Sequence, residues 1–202
     1  LTASGGSCDF EKEYREWQKQ GRMSMRFFCL RSPQVQGGLT AQNVVAIVAA
    51  VPKLRFFDGD HWMDSANWGE GLINTPDTVN DTKPSAPPEM WTAWGRVARA
   101  AAENRIQIFI HTTMEWTVEE QLKQVEALAK ELPIRPLRWT FMHMEGATAN
   151  QLERMRNLGM YVAIHPRGVI AGQAWVRRHG AEKAYAMPNL KAVQDSGIMW
   201  GF

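Results

Sequence analysis

Four residues stand where chemistry is done in an alternating strand and helix fold: Asp58, His111, His143 and His165. Each follows a short apolar run that reads as a strand. The runs are LRFF before Asp58, IQIFI before His111, RWTFM before His143 and YVAI before His165. In a parallel α/β sheet or barrel the carboxyl ends of the strands carry the chemistry, so these four side chains are expected on one rim. Neutral imidazoles and carboxylates are the usual ligands of zinc and similar divalent ions. The chain has 5 histidines, and three of them occupy this single class of position. His111 and His143 are therefore taken as metal ligands, and Asp58 and His165 as residues that meet a substrate. Taken singly, each would as readily cap a helix or steady a turn.

The elements that must position these residues follow from local patterns. Thr117 with Glu120 looks like a capping box opening the helix after His111, and Thr148 with Gln151 like a second one after His143. Glu115 and Glu145 read as acids of the first helical turn, favoured by the helix dipole. Further helices are expected over Asp9–Gln20, Ala41–Val51, Pro87–Asn104, Ala171–His179 and Asn189–Ser196, each with apolar residues at helical spacing or a cap and stop. The six expected strands are Met23–Leu30, Leu54–Phe57, Ile106–Ile110, Arg138–Met142, Tyr161–Ile164 and Ile198–Phe202. Leu1–Cys8 reads as a loop, and Ser32–Gly38 as a turn rich in Pro and Gly. From about residue 60 to residue 88 no periodicity is visible, and so long a loop is expected to act as a lid. Trp62, Trp68, Trp91, Trp94 and Trp116 could wall a substrate cleft or fill a core.

Regular alternation with nearly continuous apolar strands predicts an α/β fold with a parallel sheet. An eight-fold TIM-type barrel of which only the later strands are present, spanning 1–202 as one partial domain, is the expected architecture. An open doubly wound sheet would carry a glycine-rich phosphate turn, and none occurs. Net charge is +2 with 22% charged residues, which gives no basic stripe for nucleic acid and no polybasic run for a membrane surface. No apolar run is long enough to span a bilayer. The 2 cysteines form no disulfide framework and fit a reducing compartment, which points to the cytoplasm. The sequence opens LTASGGSC without a methionine, as expected of a chain whose beginning lies upstream.

With the strand-end histidines in place, the sequence resembles the amidohydrolase superfamily, and within it the branch of YtcJ-like and N-substituted formamide deformylase-like proteins. The resemblance runs from about Tyr14 to Phe202. Leu54–Gly59 (LRFFDG) is similar to a strand followed by Asp-Gly, and Ile106–His111 and Arg138–His143 to the fifth and sixth strands, each ending on a metal-ligating histidine. Asn189–Phe202 resembles the approach to the eighth strand. The resemblance implies a divalent metal, zinc before others, as one or two ions held in part by His111 and His143. It also implies an acid/base Asp beyond Phe202 and, ahead of the Asp-Gly, a bridging lysine in whose register Leu54 stands. The implied activity is hydrolysis of an amide or related C–N bond of a small molecule, with a homo-oligomer open. The alternative is a non-catalytic small-molecule binding protein on the same barrel, consistent with Met142 where the family usually has Glu.

Overall fold

A computed structural model describes residues 2–31, 39–70 and 78–202, with side chains from residue 8 onward. Seven strands form one sheet: β1 (Thr2–Ser7), β2 (Arg26–Arg31), β3 (Met63–Glu70), β4 (Ile108–Thr112), β5 (Thr140–His143), β6 (Tyr161–Ile164) and β7 (Met199–Gly201). They lie side by side in chain order and every pairing is parallel. A parallel crossover is almost always right-handed, so strands added in one direction keep their helices on one face. The other face is left for a cleft, as in a partial barrel; a doubly wound sheet would reverse its order midway.

The helices between strands are α1 (Glu11–Lys19), α2 (Val44–Ala50), α3 (Pro88–Glu103), α4 (Glu115–Ala129) and α5 (Ala149–Asn157). After β6 come α6 (Gly168–His179), α7 (Ala181–Tyr185) and α8 (Leu190–Ser196). Alternation divides each strand between two environments. In β4, Ile108 and Ile110 are fully buried while Phe109 and His111 between them are only partly covered. In β6, Val162 and Ile164 are buried, and Tyr161 and Ala163 are partly open. The buried set packs against Val97, Ala101, Val118, Leu122 and Val125 of α3 and α4 in one continuous core. Trp139 is wholly buried there, and its indole N–H donates to the Ile106 carbonyl at 2.9 Å, so no polar atom of that ring is left bare.

Most expected elements appear within a few residues of their predicted limits, and the second capping box is complete. Thr148 Oγ1 accepts from Gln151 N–H and Gln151 Oε1 from Thr148 N–H. Several expectations are corrected. Leu54–Phe57 is no strand: it is an extended connection whose Phe57 N–H reaches Ser65 O at 2.9 Å, and Phe57 itself turns with a positive φ of 57°. The strand of this unit is β3, inside the stretch expected to be a lid. The helix after His111 starts at Glu115, two residues before the expected cap, and Thr117 lies buried in its first turn. Thr2–Ser7, expected as loop, is a strand. Cys8 and Cys29 are joined in a disulfide, so the cysteines no longer argue for a reducing compartment. Trp68, Trp91 and Trp94 are buried in the core, the filling role and not the cleft wall. The turn expected at Ser32–Gly38 lies outside the described residues. Among the described residues no helix is long and apolar enough to cross a membrane.

Phe141, wholly buried between β5 and the helices, tests this core. Phe141→Ala is expected to lower unfolding free energy by about 3–5 kcal/mol, read from a urea midpoint at unchanged slope. A loss below about 1 kcal/mol would mean that the β5 face is not packed as described.

Candidate metal centre

Three neighbouring strands each deliver one ligand-type side chain to the cleft face: Glu70 ends β3, His111 is the fourth residue of β4, and His143 ends β5. Glu70 Oε1 lies 2.9 Å from His111 Nδ1 and 2.6 Å from His143 Nε2. A carboxylate only accepts, so both imidazoles direct an N–H at the same oxygen. The two rings stand 4.5 Å apart, centroid to centroid.

The hydrogen bonds from His111 and then His143 hold the Glu70 carboxyl far below the usual carboxylate range, against a burial that acts the other way. His143 moves in the direction opposite to that expected beside an anion. Its burial lowers its pKa, and the charge of Arg167 adds to that, outweighing the hydrogen bond to Glu70. The consistent state is an ionised Glu70 with a neutral His143. In that state His143 Nδ1 is buried with no partner among the described residues.

The backbone bends to make this contact. His143 and Met144 have φ of 76° and 58°, a conformation uncommon outside glycine and found where a site over-determines it. Here Met144 N–H donates to Thr112 O at 2.9 Å and Gly146 N–H to Thr113 O at 2.8 Å, tying the end of β5 to the end of β4. At Gly146 a Cβ would stand 2.8 Å from Glu115 N, so the two loops approach as only glycine allows. Thr112 Oγ1 and Gln121 Oε1 meet at 2.6 Å while Gln121 Nε2 donates to His111 O at 3.2 Å, a buried clamp that fixes His111 against α4. On the other side Gly69 lets β3 press on β4, since a Cβ there would lie 1.8 Å from Phe109 O.

His165 is exposed just past β6, its ring 5.3 Å from that of His143. Both line a cavity of about 410 Å³ whose walls include Phe28, Leu30, Phe109 and Met142. Asp58 is placed elsewhere. It lies ahead of β3, half exposed, with Oδ1 3.3 Å from Arg31, and does not reach the histidines. Glu145 is not a solvated first-turn acid but wholly buried and paired with Arg167. Sequence reasoning missed Glu70 because its strand was read as loop. Two signals pointed to it: a structureless run of that length is itself suspect, and the acid follows directly on a Trp-Gly pair.

The donor set tests what the triad can hold. The ligand atoms of Glu70, His111 and His143 all lie within 4.8 Å of one another. One carboxylate with two imidazoles suits zinc, manganese or iron and not the all-oxygen shells of calcium or magnesium. The residues fit a divalent transition-type ion.

Comparison with known proteins points the same way. The family described as amidohydrolase, Amidohydro_3, matches residues 8–202. No curated protein matches the chain. An uncharacterized metal-dependent hydrolase from Pyrococcus furiosus is similar in structure at a TM-score of 0.60 and 18% identity, covering 100% of this chain and 41% of its own. One from Pyrococcus horikoshii OT3 gives 0.62 and 16%, covering 100% and 40%. An amidohydrolase gives 0.54 and 10%, covering 100% and 53%. The chain thus spans about two-fifths of the length of the two Pyrococcus hydrolases, and at these identities the likeness is one of fold.

Gly69→Ala is expected to destabilise the protein by about 1–3 kcal/mol, since overpacking must part β3 from β4. It should also reduce binding of added zinc, measured by titration against a chromogenic chelator. Wild-type zinc affinity in this variant would show that the approach of β3 does not position Glu70.

Proposed function

The chain belongs to the amidohydrolase family, and from that premise we propose that Glu70, His111 and His143 hold a divalent cation, zinc before manganese or iron, for hydrolysis of an amide or related C–N bond in a small molecule. The observation that carries this is one carboxylate oxygen met by two imidazoles at the ends of three adjacent strands. The seven strands are inferred to belong to a closed eight-fold barrel, whose sequential parallel order they follow. The YtcJ-like branch remains part of the proposal, resting on the resemblance of the strand-end segments.

When bound, such an ion supplies Lewis acidity and an activated water at neutral pH. The chain's own residues prepare the place. Glu70, held ionised by its two N–H donors, keeps a negative charge there across the physiological range. His143, kept neutral by burial, could present a nitrogen lone pair to an ion by moving its single N–H from Nε2 to the buried Nδ1. His111 is fixed through its carbonyl by Gln121 and so presents its ring in one orientation. His165, exposed beside His143, is assigned to contact with the substrate, whose apolar body would lie along Phe109 and Met142. Asp58 is given no part, because it stands apart from the cleft. Water adds across the C–N bond to give a carboxylic acid and an amine. A binding protein without catalysis is the second reading, favoured by the apolar wall that Met142 provides.

Elemental analysis of the purified protein decides between them. One or two equivalents of metal are expected, and Glu70→Ala, His111→Ala and His143→Ala should each weaken affinity by more than the about 10–100-fold typical of losing an outer-shell partner. Turnover of simple N-acyl and N-formyl amides should fall by orders of magnitude in the same variants. No metal in the wild type, even after adding it back, sinks the hydrolase reading and leaves the binding protein.

A further inference from the structure

The disulfide lies beside the cleft, and it fastens the one sheet helix that apolar packing does not. Cys8, partly exposed, opens the single turn of 3-10 helix that follows β1, and Cys29 is buried in the middle of β2. They stand 21 apart in sequence, and α1 lies between them. α3 buries nine residues and α4 six, whereas α1 buries none. Among the described residues, the main core holds no residue of α1 or of β2. Tyr14 sets its ring 4.6 Å from that of Phe27 in β2, and Arg15 and Gln18 donate to Asp60 at 2.7 and 3.0 Å. The ion pair among these contacts is solvent-exposed and contributes little. Trp17 of α1 is itself exposed. Where hydrophobic burial holds the other helices, a covalent bond holds this one.

The bond also spans a break in the sheet. The β1–β2 register steps from Ser4 opposite Phe28 to Ser7 opposite Leu30, passing Cys29. The β2–β3 register steps from Cys29 opposite Ser65 to Leu30 opposite Asn67, passing one residue of β3. Phe28, Cys29 and Leu30 all line the cleft cavity. We propose that Cys8–Cys29 is a redox clasp, opened by small thiols of the glutathione class, which releases α1 and loosens the Phe28–Leu30 wall of the cleft while the rest of the sheet stays folded. A glutathione thiolate attacks Cys8 Sγ, the more accessible partner, and Cys29 leaves as a thiolate that takes up a proton. A second glutathione then displaces the first from Cys8. Two electrons pass to the protein, one glutathione disulfide forms, and the two glutathione protons end on the cysteines. The clasp stands independently of the hydrolase reading.

Hydrogen exchange read by mass spectrometry, on the whole protein with and without excess reduced glutathione, tests this. Thiol titration of the same samples gives the fraction reduced, with two thiols per chain expected at completion. Amides of residues 9–20 and 27–31 should then exchange at least about tenfold faster, while those of β4 and β5 change by less than about twofold. Adding oxidised glutathione should restore slow exchange. The double variant Cys8→Ser/Cys29→Ala should show the fast exchange from the start and ignore glutathione. Reduction of the wild type carries the test alone if that variant does not fold. A bond that stays closed in excess reduced glutathione overturns the clasp, as does reduction without faster exchange at residues 9–20. Unfolding of the whole chain on reduction also overturns it, because the bond would then be a staple of the entire fold.

Discussion

The site depends on the parallel register of β3, β4 and β5. Thr112 pairs with His143, His111 with Met142, and Glu70 with Ile110. What fixes this register is not the polar residues but the apolar ones between them. Ile108, Ile110 and Phe141 must face the helices, where all three are fully buried. A shift of one residue would send His111 into the helix layer and Ile110 into the cleft, at a cost of several kcal/mol for each exchanged side chain. The hydrophobic core thus selects which nitrogens can meet the Glu70 oxygen. The chemistry of the cleft is a by-product of packing on the opposite face.

Within that frame the electrostatics favour a defined protonation state. A carboxylate brought toward an apolar face loses solvation, and the two imidazole N–H groups replace it with directed donors. Burial in turn suppresses the charge of His143. The outcome is one negative charge beside a neutral His143, with His111 held on the same carboxylate oxygen. The left-handed turn at His143 and Met144 is the structural counterpart. It costs of the order of 1–3 kcal/mol per residue and persists because hydrogen bonds from Met144 and Gly146 reach across to β4.

How much of this was legible in the sequence differs from element to element. The histidines were visible because each closes an apolar β run, and β5 and β6 were found almost to the residue because their outward side chains are continuous and branched or aromatic. Glu70 was hidden for the converse reason. MDSANWGE is poor in strand-forming residues: Asp64, Ser65, Asn67 and Gly69 are all disfavoured there. Tertiary pairing to β2 and β4 overrides that preference, and a sequence window cannot see pairing. LRFF carries the opposite error, with a β-like composition in a segment that has no partner strand. Asp58 was placed at the rim only because LRFF was taken for its strand. The Thr117–Glu120 spacing fits a capping box, but burial of Thr117 in the first turn of α4 takes its hydroxyl out of that role. The disulfide joins residues 21 apart in sequence, and only the β1–β2 pairing brings them together.

Family and fold leave the substrate open, since one barrel serves many chemistries through the loops at its mouth. Those loops are held by a second, smaller core here. Val79 after β3, Met114 after β4, Trp175 of α6 and Ala184 of α7 pack together away from the main core, with Met187 completing the cluster. His179 Nε2 donates to Val79 O at 2.7 Å and Arg178 Nε to Asn80 O at 2.9 Å, which fastens α6 to the segment that follows β3. Residues at the mouth are therefore not free to adapt one by one. Arg167 and His165 sit at the root of α6, so their positions are set by the same packing that buries Trp175 and Met114.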